Sequence, residues 1–308
     1  MEVSMAARAV AATALLVLEG MRPLQWVKNA FVLAPLVFAK RLLVLPDLTL
    51  ALLAVAAYCL ASSAVYLLND VVDAPEDRRH PGKRHRPVAS GRLSASLALW
   101  SSALLALLAL LGALLISLPL AACLLGFLAL NAFYIFVGKR VAYLDVLAIS
   151  GSFILRVVGG ALAIPVELSG WILLCTFFIS LYLGLGKRLH ELLGTDGSTR
   201  RSLAGYSPLL TRGALVACGL AALAAFACYS VSARALANFG TSNLLWTTPL
   251  VALGQLRFFA LASRTGSDRS PTDAMIRDPL FLLAGLAWGL AVLVLVYMAG
   301  QTGLESRP

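Results

Sequence analysis

TLALLAVAAYCLASSAVYLLNDVVDAPEDRRHPGKRHRP, residues 49–87, joins two unlike halves. Residues 49–68 carry no charge, and a run of about 20 such residues is what a helix needs to cross the ~30 Å hydrocarbon core of a bilayer. Residues 69–87 then set Asp70, Asp73 and Asp77 at the mouth of that run, with Lys83, Arg84 and Arg86 close behind. At ~100° per residue the three aspartates fall within about 60° of one another on a helix. Unpaired, they would repel, so a cation belongs among them. Hard oxygen ligands with room for water suit Mg²⁺, which binds through one or two carboxylates plus substrate phosphate. Guanidinium forks match phosphate oxygens, and lysine adds a point charge. The stretch therefore reads as a Mg²⁺–diphosphate site. The competing reading is a solvated loop whose acids and bases pair among themselves. Pro75 lacks an N–H and disfavours helix at Ala74, so a kink or restart is expected there, with Asp77 displaced.

The composition agrees with a membrane setting. Of the 308 residues 60% are hydrophobic and 13% charged, with a mean hydropathy of +0.87; soluble domains carry nearer ~25% charge. Apolar runs recur at residues 25–43, 47–71, 93–117, 119–138, 142–164, 167–187, 209–232, 243–263 and 279–299. The fold class is all-α, a polytopic protein of about nine membrane-spanning helices around a central cavity opening to the cytoplasm. Residues 1–308 read as one membrane-embedded domain, with 1–22 a helix lying on the membrane surface and not a removable leader. The net charge of +10 does not imply nucleic acid, because cytoplasmic loops of membrane proteins are basic. With the N-terminus inside, twenty of the 25 Lys and Arg fall on the cytoplasmic side against four outside, and Arg156 lies within a span. That bias places the aspartates in the cytoplasm of a cell-membrane protein. Cys59, Cys123, Cys175, Cys218 and Cys228 all sit in apolar runs and read as small core residues. His80, His85 and His190 lack metal-ligand spacing.

Several polar residues each carry two readings. Lys28, behind Trp26, is an interfacial anchor or a phosphate contact. Lys139 and Arg140, before Asp145, are a stop signal with a local ion pair, or reach phosphate while Asp145 supports the metal side. An arginine inside a span costs at least ~2.5 kcal/mol, so Arg156 should face a polar cavity or a phosphate. Gly159 and Gly160 beside it allow close helix packing. Lys187, Arg188 and Glu191 are a helical ion pair or a donor-binding group. Arg277 and Asp278 read as a structural pair.

The pattern N-D-x-x-D-x-x-x-D with a following R-P, filled by Asn69, Asp70, Asp73, Asp77, Arg86 and Pro87, resembles the first aspartate motif of the UbiA-type intramembrane prenyltransferase superfamily. That resemblance implies a nine-helix transferase and covers essentially the whole chain. Two features depart from its aromatic branch. HPGKRHRP (80–87) replaces the usual R-T-x-x-R-P, and residues 184–208 hold only Glu191 and Asp196 as acids where a second aspartate motif is expected. RPLQWVKN (22–29), FILRVVGG (153–160), GKRLHEL (186–192) and the Arg-Arg-Ser-Leu stretch reaching Tyr206 are instead similar to the decaprenyl-phosphate phosphoribosyltransferase branch.

The resemblance implies Mg²⁺-dependent transfer of 5-phosphoribose from phosphoribosyl diphosphate to a polyprenyl phosphate, releasing diphosphate and giving a lipid-linked precursor of cell-wall arabinose. The implied metal set is Asn69, Asp70, Asp73 and Asp77, with Asp73, Asp77 and Arg156 as catalytic candidates. Lys28, Lys83, Arg84, Arg86, Lys139, Arg140, Arg156, Lys187, Arg188 and Glu191 are the substrate-binding candidates. The competing functions are prenyl transfer from a polyprenyl diphosphate to an aromatic or quinone-precursor ring, and transport without chemistry. The partners are the two substrates and the membrane. The sequence leaves the oligomeric state open, a homo-oligomer included.

Overall fold

The structure is a computed structural model that describes residues 2–194, 201–264, 271–275 and 277–298. Among these residues there is no strand. Among the described residues, eight helical segments are long and apolar enough to cross a membrane: Leu45–Asp77, Ala95–Ile116, Leu118–Arg140, Leu144–Ala163, Gly170–Leu193, Pro208–Ser230, Asn243–Ala262 and Pro279–Tyr297. We label the helices α1 (Glu2–Met21), α2 (Ala34–Phe38), α3 (Leu45–Asp77), α4 (Ala95–Ile116), α5 (Leu118–Phe136), α6 (Leu144–Ala163) and α7 (Gly170–Leu193). After these come α8 (Pro208–Ser230), α9 (Ala233–Phe239), α10 (Thr248–Ala262), α11 (Pro271–Met275) and α12 (Pro279–Met298).

The segment expected to span over residues 25–43 is a broken element. Pro23–Leu33 is a 3-10 helix and α2 continues it for five residues. Left-handed backbone at Arg22 (φ 54°) and Lys40 (φ 57°) bounds it, and Pro35 opens α2. It nevertheless runs along most of α3. Arg22 pairs with Asp70 near one end of α3, and Arg41 pairs with Asp47 at the other. A 3-10 helix rises ~2.0 Å per residue, so these two short pieces together reach about 30 Å.

The interior is built from small residues facing aromatic and aliphatic ones. Ala54, Ala57, Tyr58 and Ala61 of α3 pack with Ala109 and Ala113 of α4 and with Leu120, Leu124 and Phe127 of α5. A second core joins Val146 of α6, Tyr182, Leu185 and Leu189 of α7, Leu215 of α8 and Phe258 of α10. Leucines of α4 and α12, such as Leu104, Leu111, Leu283 and Leu290, point outward; with no water to exclude them, they are the surface a bilayer solvates. Helix α1 lays Leu16, Val17 and Met21 against the aspartate end of α3 and leaves Leu15 exposed.

Two glycines set how closely the broken element approaches α6. A Cβ at Gly160 would strike the Val32 carbonyl oxygen and come within 2.8 Å of its carbon, while one at Gly159 would strike the Tyr58 hydroxyl. That hydroxyl donates to the Leu155 carbonyl at 2.6 Å. Backbone cannot yield as a side chain can. Gly160→Ala is expected to destabilise the protein by at least about 1–3 kcal/mol. Gly112→Ala, at a position where a Cβ meets nothing within 4 Å, serves as the neutral control. Equal melting temperatures for both variants would contradict the close-packing account.

Pro75 does not break α3. The helix continues through it to Asp77. Pro75 lies in the last turn with an exposed ring, where losing one hydrogen bond and crowding one carbonyl costs least. Asp77 is therefore not displaced. It stays two turns from Asp70 on the same face of the helix.

Candidate active site

The end of α3 gathers three carboxylates and three cations. Asp70 and Asp77 are buried, and one nitrogen of Arg86 bridges them, at 3.3 Å from Asp70 Oδ1 and 2.6 Å from Asp77 Oδ2. Arg22 makes a second ion pair to the same Asp70 oxygen. Asp73, a turn away and about one-fifth exposed, pairs with Lys139, whose Nζ also lies 3.3 Å from the Asn69 amide oxygen. Each pair of oxygen donors thus already holds a cation between its members. Asn69 and Asp73 share an ammonium, and Asp70 and Asp77 share a guanidinium nitrogen. Among the described residues no group of three or more Asp, Glu, His or Cys side chains converges as a metal cage. The donor set is instead the sparse, all-oxygen kind from which Mg²⁺ takes one or two carboxylates, with phosphate completing its shell. The residues fit the ion on that chemistry.

The remaining expected residues separate into three groups. Lys83 and Arg84 stand exposed on the loop after α3, where Arg84 donates to His85 at 3.2 Å. Arg140 is exposed beside Lys139, and Lys28 and Lys187 are half-buried. The Nε and Nη2 groups of Arg86 make no hydrogen bond to protein among the described residues, which leaves donors for phosphate. Asp196 and Arg200 lie outside the described residues.

Arg156 sits deeper. It is 5% exposed and contacts α3 at Ser62, eight residues before Asp70, or about 12 Å along the helix. It donates to the Asn29 side-chain oxygen at 2.8 Å, the Ser152 carbonyl at 3.0 Å and Ser62 Oγ at 3.3 Å. Its guanidinium also lies over the rings of Phe127 and Phe153. None of these partners is an acid. Among the described residues this buried cation is solvated by dipoles and aromatic faces alone.

Arg188 and Glu191 join a different cluster. Arg188 is 1% exposed; its Nε stands 2.7 Å from Asp145 Oδ2 and its Nη1 donates to Glu191 at 2.6 Å. Asp145 occupies the first turn of α6, where the helix dipole favours an acid, and its other oxygen accepts from the Val146 N–H and the Tyr206 hydroxyl. Burial, together with this bond, raises the Tyr206 phenol above its ordinary range, so it remains a donor. The local pairing of Asp145 with Lys139 or Arg140 does not form, because Lys139 is drawn to Asp73. Arg277 likewise does not pair with Asp278. Arg257 forks onto Asp278 at 2.6–3.0 Å. That fork, with the Phe281 N–H, lowers the carboxyl to about 2.

Sequence reasoning missed Arg22 and Asn29 as members of these clusters. The RPLQWVKN stretch held both, but only the reversal at Arg22 shows that they face α3 and α6.

A small, partly open cavity of about 30 Å³ lies at the opposite end of the helices from the aspartates. The expected cavity opening beside the aspartates is not what this volume represents.

A family model described as the UbiA prenyltransferase family matches residues 29–285. A Corynebacterium glutamicum protein named decaprenyl-phosphate phosphoribosyltransferase is 33% identical over 291 residues, covering 91% of this chain and 86% of that protein. A Mycobacterium tuberculosis protein of the same name is 33% identical over 279 residues, covering 88% and 91%. Among solved structures, a UbiA homologue from Archaeoglobus fulgidus bound to GPP and Mg²⁺ superposes with a TM-score of 0.69 at 18% identity, covering 90% of this chain and 99% of that one. At that identity the likeness speaks for the fold.

Proposed function

The chain belongs to the UbiA prenyltransferase family, and from that premise we propose that it transfers 5-phosphoribose from phosphoribosyl diphosphate to a decaprenyl or similar polyprenyl phosphate, releasing diphosphate. It is a multi-pass membrane transferase. The observation that carries the reading is the paired arrangement at the end of α3, in which Asn69, Asp70, Asp73 and Asp77 alternate with Arg22, Arg86 and Lys139. A site made of acids alone would repel a diphosphate, and one made of bases alone would not hold a metal. The relatives' shared name supplies the substrate class.

The cationic side chains recognise the donor. Arg86, Lys83 and Arg84 offer N–H donors to the diphosphate oxygens, and Lys139 and Arg140 approach from the end of α5. Asp73 and Asp77, with Asn69 and Asp70 in support, would hold Mg²⁺, which when bound would supply positive charge to the leaving diphosphate. An oxygen of the lipid phosphate attacks C1 of the ribose as the C1–O bond to diphosphate breaks, with inversion at C1. That oxygen is already anionic, so no side chain is required as general base. Fixed cations around the departing group stabilise the charge that develops on it. The site faces the cytoplasm in this account, where the basic loops gather, and the polyprenyl tail runs between helices into the bilayer. The product would be a lipid-linked pentose for cell-wall assembly.

Arg156 is the deeper anion contact of the same site. Replacing it with alanine removes a charge-assisted interaction of roughly 1.5–3 kcal/mol, so substrate affinity should fall at least about tenfold. Arg156→Lys should recover only part, since a point charge cannot reproduce the fork. A melting curve and substrate affinity are measured on the same variants. Lost stability with unchanged affinity for both substrates would refute the role.

The test of donor choice is direct competition in binding. Phosphoribosyl diphosphate with Mg²⁺ should bind the purified protein, and excess polyprenyl diphosphate should not act as donor to a hydroxybenzoate or quinone precursor. Prenylation of either ring would overturn the proposal in favour of prenyl transfer.

A further inference from the structure

At the end of the bundle remote from the aspartates, we infer that α7 and α9 form a binding site for the phosphate headgroup of a membrane phospholipid. Ser169 is the N-cap of α7, yet its hydroxyl makes no capping bond. It is 5% exposed, its oxygen has no hydrogen-bond partner, and it lines the cavity of about 30 Å³. The serines that cap α4, α5, α8 and α9 all accept from the backbone N–H three residues on. A buried hydroxyl left without a partner costs about 1–3 kcal/mol, so the position implies something that fills the cavity. That volume exceeds the ~10–15 Å³ a single water requires.

The chemistry of the walls selects an anion. Arg234 borders the cavity, and the Asn238 amide lies a turn further along α9. The opening N–H groups of α7 have no intrahelical acceptors and carry the positive end of the helix dipole. From this end of α7, Ser169 and Ile172 line the recess together with Arg234 and Asn238, an arrangement that favours phosphate. Glu167 stands 3.6 Å from Arg234 with its side chain almost wholly exposed. Glu167 also borders the recess, and its backbone carbonyl accepts from Arg234 Nη2 at 3.2 Å; the carboxylate is the weak surface partner that an incoming phosphate can displace, while the carbonyl keeps the guanidinium at the rim.

The second hollow selects a lipid over a free ion. A shallow, open groove lined by Gly170, Trp171 and Leu174 shares Arg234 with the recess. A Cβ at Gly170 would meet nothing within 4 Å, so the groove is open along its floor. It is apolar and flanked by exposed Leu174, on a helix that the bilayer surrounds. A headgroup in the recess therefore leaves its acyl chain along Trp171 and Leu174. An aromatic at this level matches the interfacial belt of membrane proteins. The site is separated from the aspartate cluster by the length of α7, about 35 Å, and is independent of the proposed reaction.

The test uses the full chain purified in detergent, stripped of lipid, and titrated with phosphatidylglycerol while native mass spectrometry counts bound copies. One tight copy per chain is expected. Ser169→Ala and Arg234→Gln should each weaken it by about tenfold. Gly170→Leu should block the groove and do the same. Glu167→Gln should tighten binding, because it removes the competing carboxylate, a change that a merely structural role would not produce. Melting temperatures of the lipid-free variants check folding. Unchanged retention in Arg234→Gln and Gly170→Leu would overturn the site. Equal competition by inorganic phosphate would overturn the lipid assignment.

Discussion

Asp73→Ala and Asp77→Ala are each expected to lower kcat/KM by roughly 10²–10³-fold or more, the scale seen when one fixed charge-stabilising group is removed from a reacting centre. The two residues lie in different ion pairs, with Lys139 and Arg86 respectively, so their loss is felt by different neighbours, and on the proposed reading by the one metal they would share. Asp73 is about one-fifth exposed and Lys139 less so, and the alanine variant should lose some stability as well, because the largely buried ammonium keeps only the Asn69 oxygen. Asp77 is 3% exposed, and its removal leaves Arg86 with Asp70. Asp73→Asn keeps the shape and an oxygen toward Lys139 but loses the charge. It should therefore resemble the alanine variant in turnover and wild type in melting. Activity should also vanish on chelation and return with Mg²⁺. Near-normal turnover in both alanine variants would end the metal assignment.

Arg188→Met should be the most damaging change to stability. It leaves Asp145, which is 0% exposed, as a buried carboxylate with only the Val146 N–H and the Tyr206 hydroxyl on its other oxygen. Breaking one side of a buried pair costs about 3–5 kcal/mol, because the survivor's desolvation is no longer offset. The double variant Asp145→Asn, Arg188→Met should recover much of this, since it leaves no charge at the fully buried Asp145 and takes the arginine only from Glu191, which is about one-fifth exposed. The comparison is made by thermal unfolding of both proteins in the same detergent. An equal loss in single and double variants would show that packing, not the ion pair, holds α6 to α7. If Arg188 also contacts donor, the double variant will remain inactive although restored in stability.

Much of the architecture is legible in the sequence because a bilayer admits so few solutions. Long apolar runs must be helices whose backbone is satisfied internally, and the apolar runs between residues 47 and 299 match the observed helices. The aspartate motif is legible because several carboxylates closing an apolar run repel one another unless cations are held among them. The misreadings share one cause, which is that local sequence does not reveal tertiary partners. Pro75 reads as a breaker, but in the final turn of a packed helix its cost is small. Arg277 looks like the partner of its neighbour Asp278, whereas Arg257 reaches that carboxylate from α10. Lys139 stands close to Asp145 in sequence, yet it crosses to Asp73, 66 residues away in the chain. The broken segment before α3 looks like one more span because its composition is apolar. Its contacts to α6, through Asn29 to Arg156 and through Val32 to Gly160, appear only once α6 is in place.

The central claim is that this transferase moves a phosphoribosyl group and not a prenyl group. Purified protein is incubated with Mg²⁺, phosphoribosyl diphosphate labelled in the ribose, and a polyprenyl phosphate, and the organic phase is then counted. Lipid-extractable label that depends on both Mg²⁺ and the polyprenyl phosphate, and disappears in Asp77→Ala, is the predicted result. Label that stays in the aqueous phase with active wild-type protein, while a polyprenyl diphosphate is consumed to prenylate an aromatic acceptor, would contradict it.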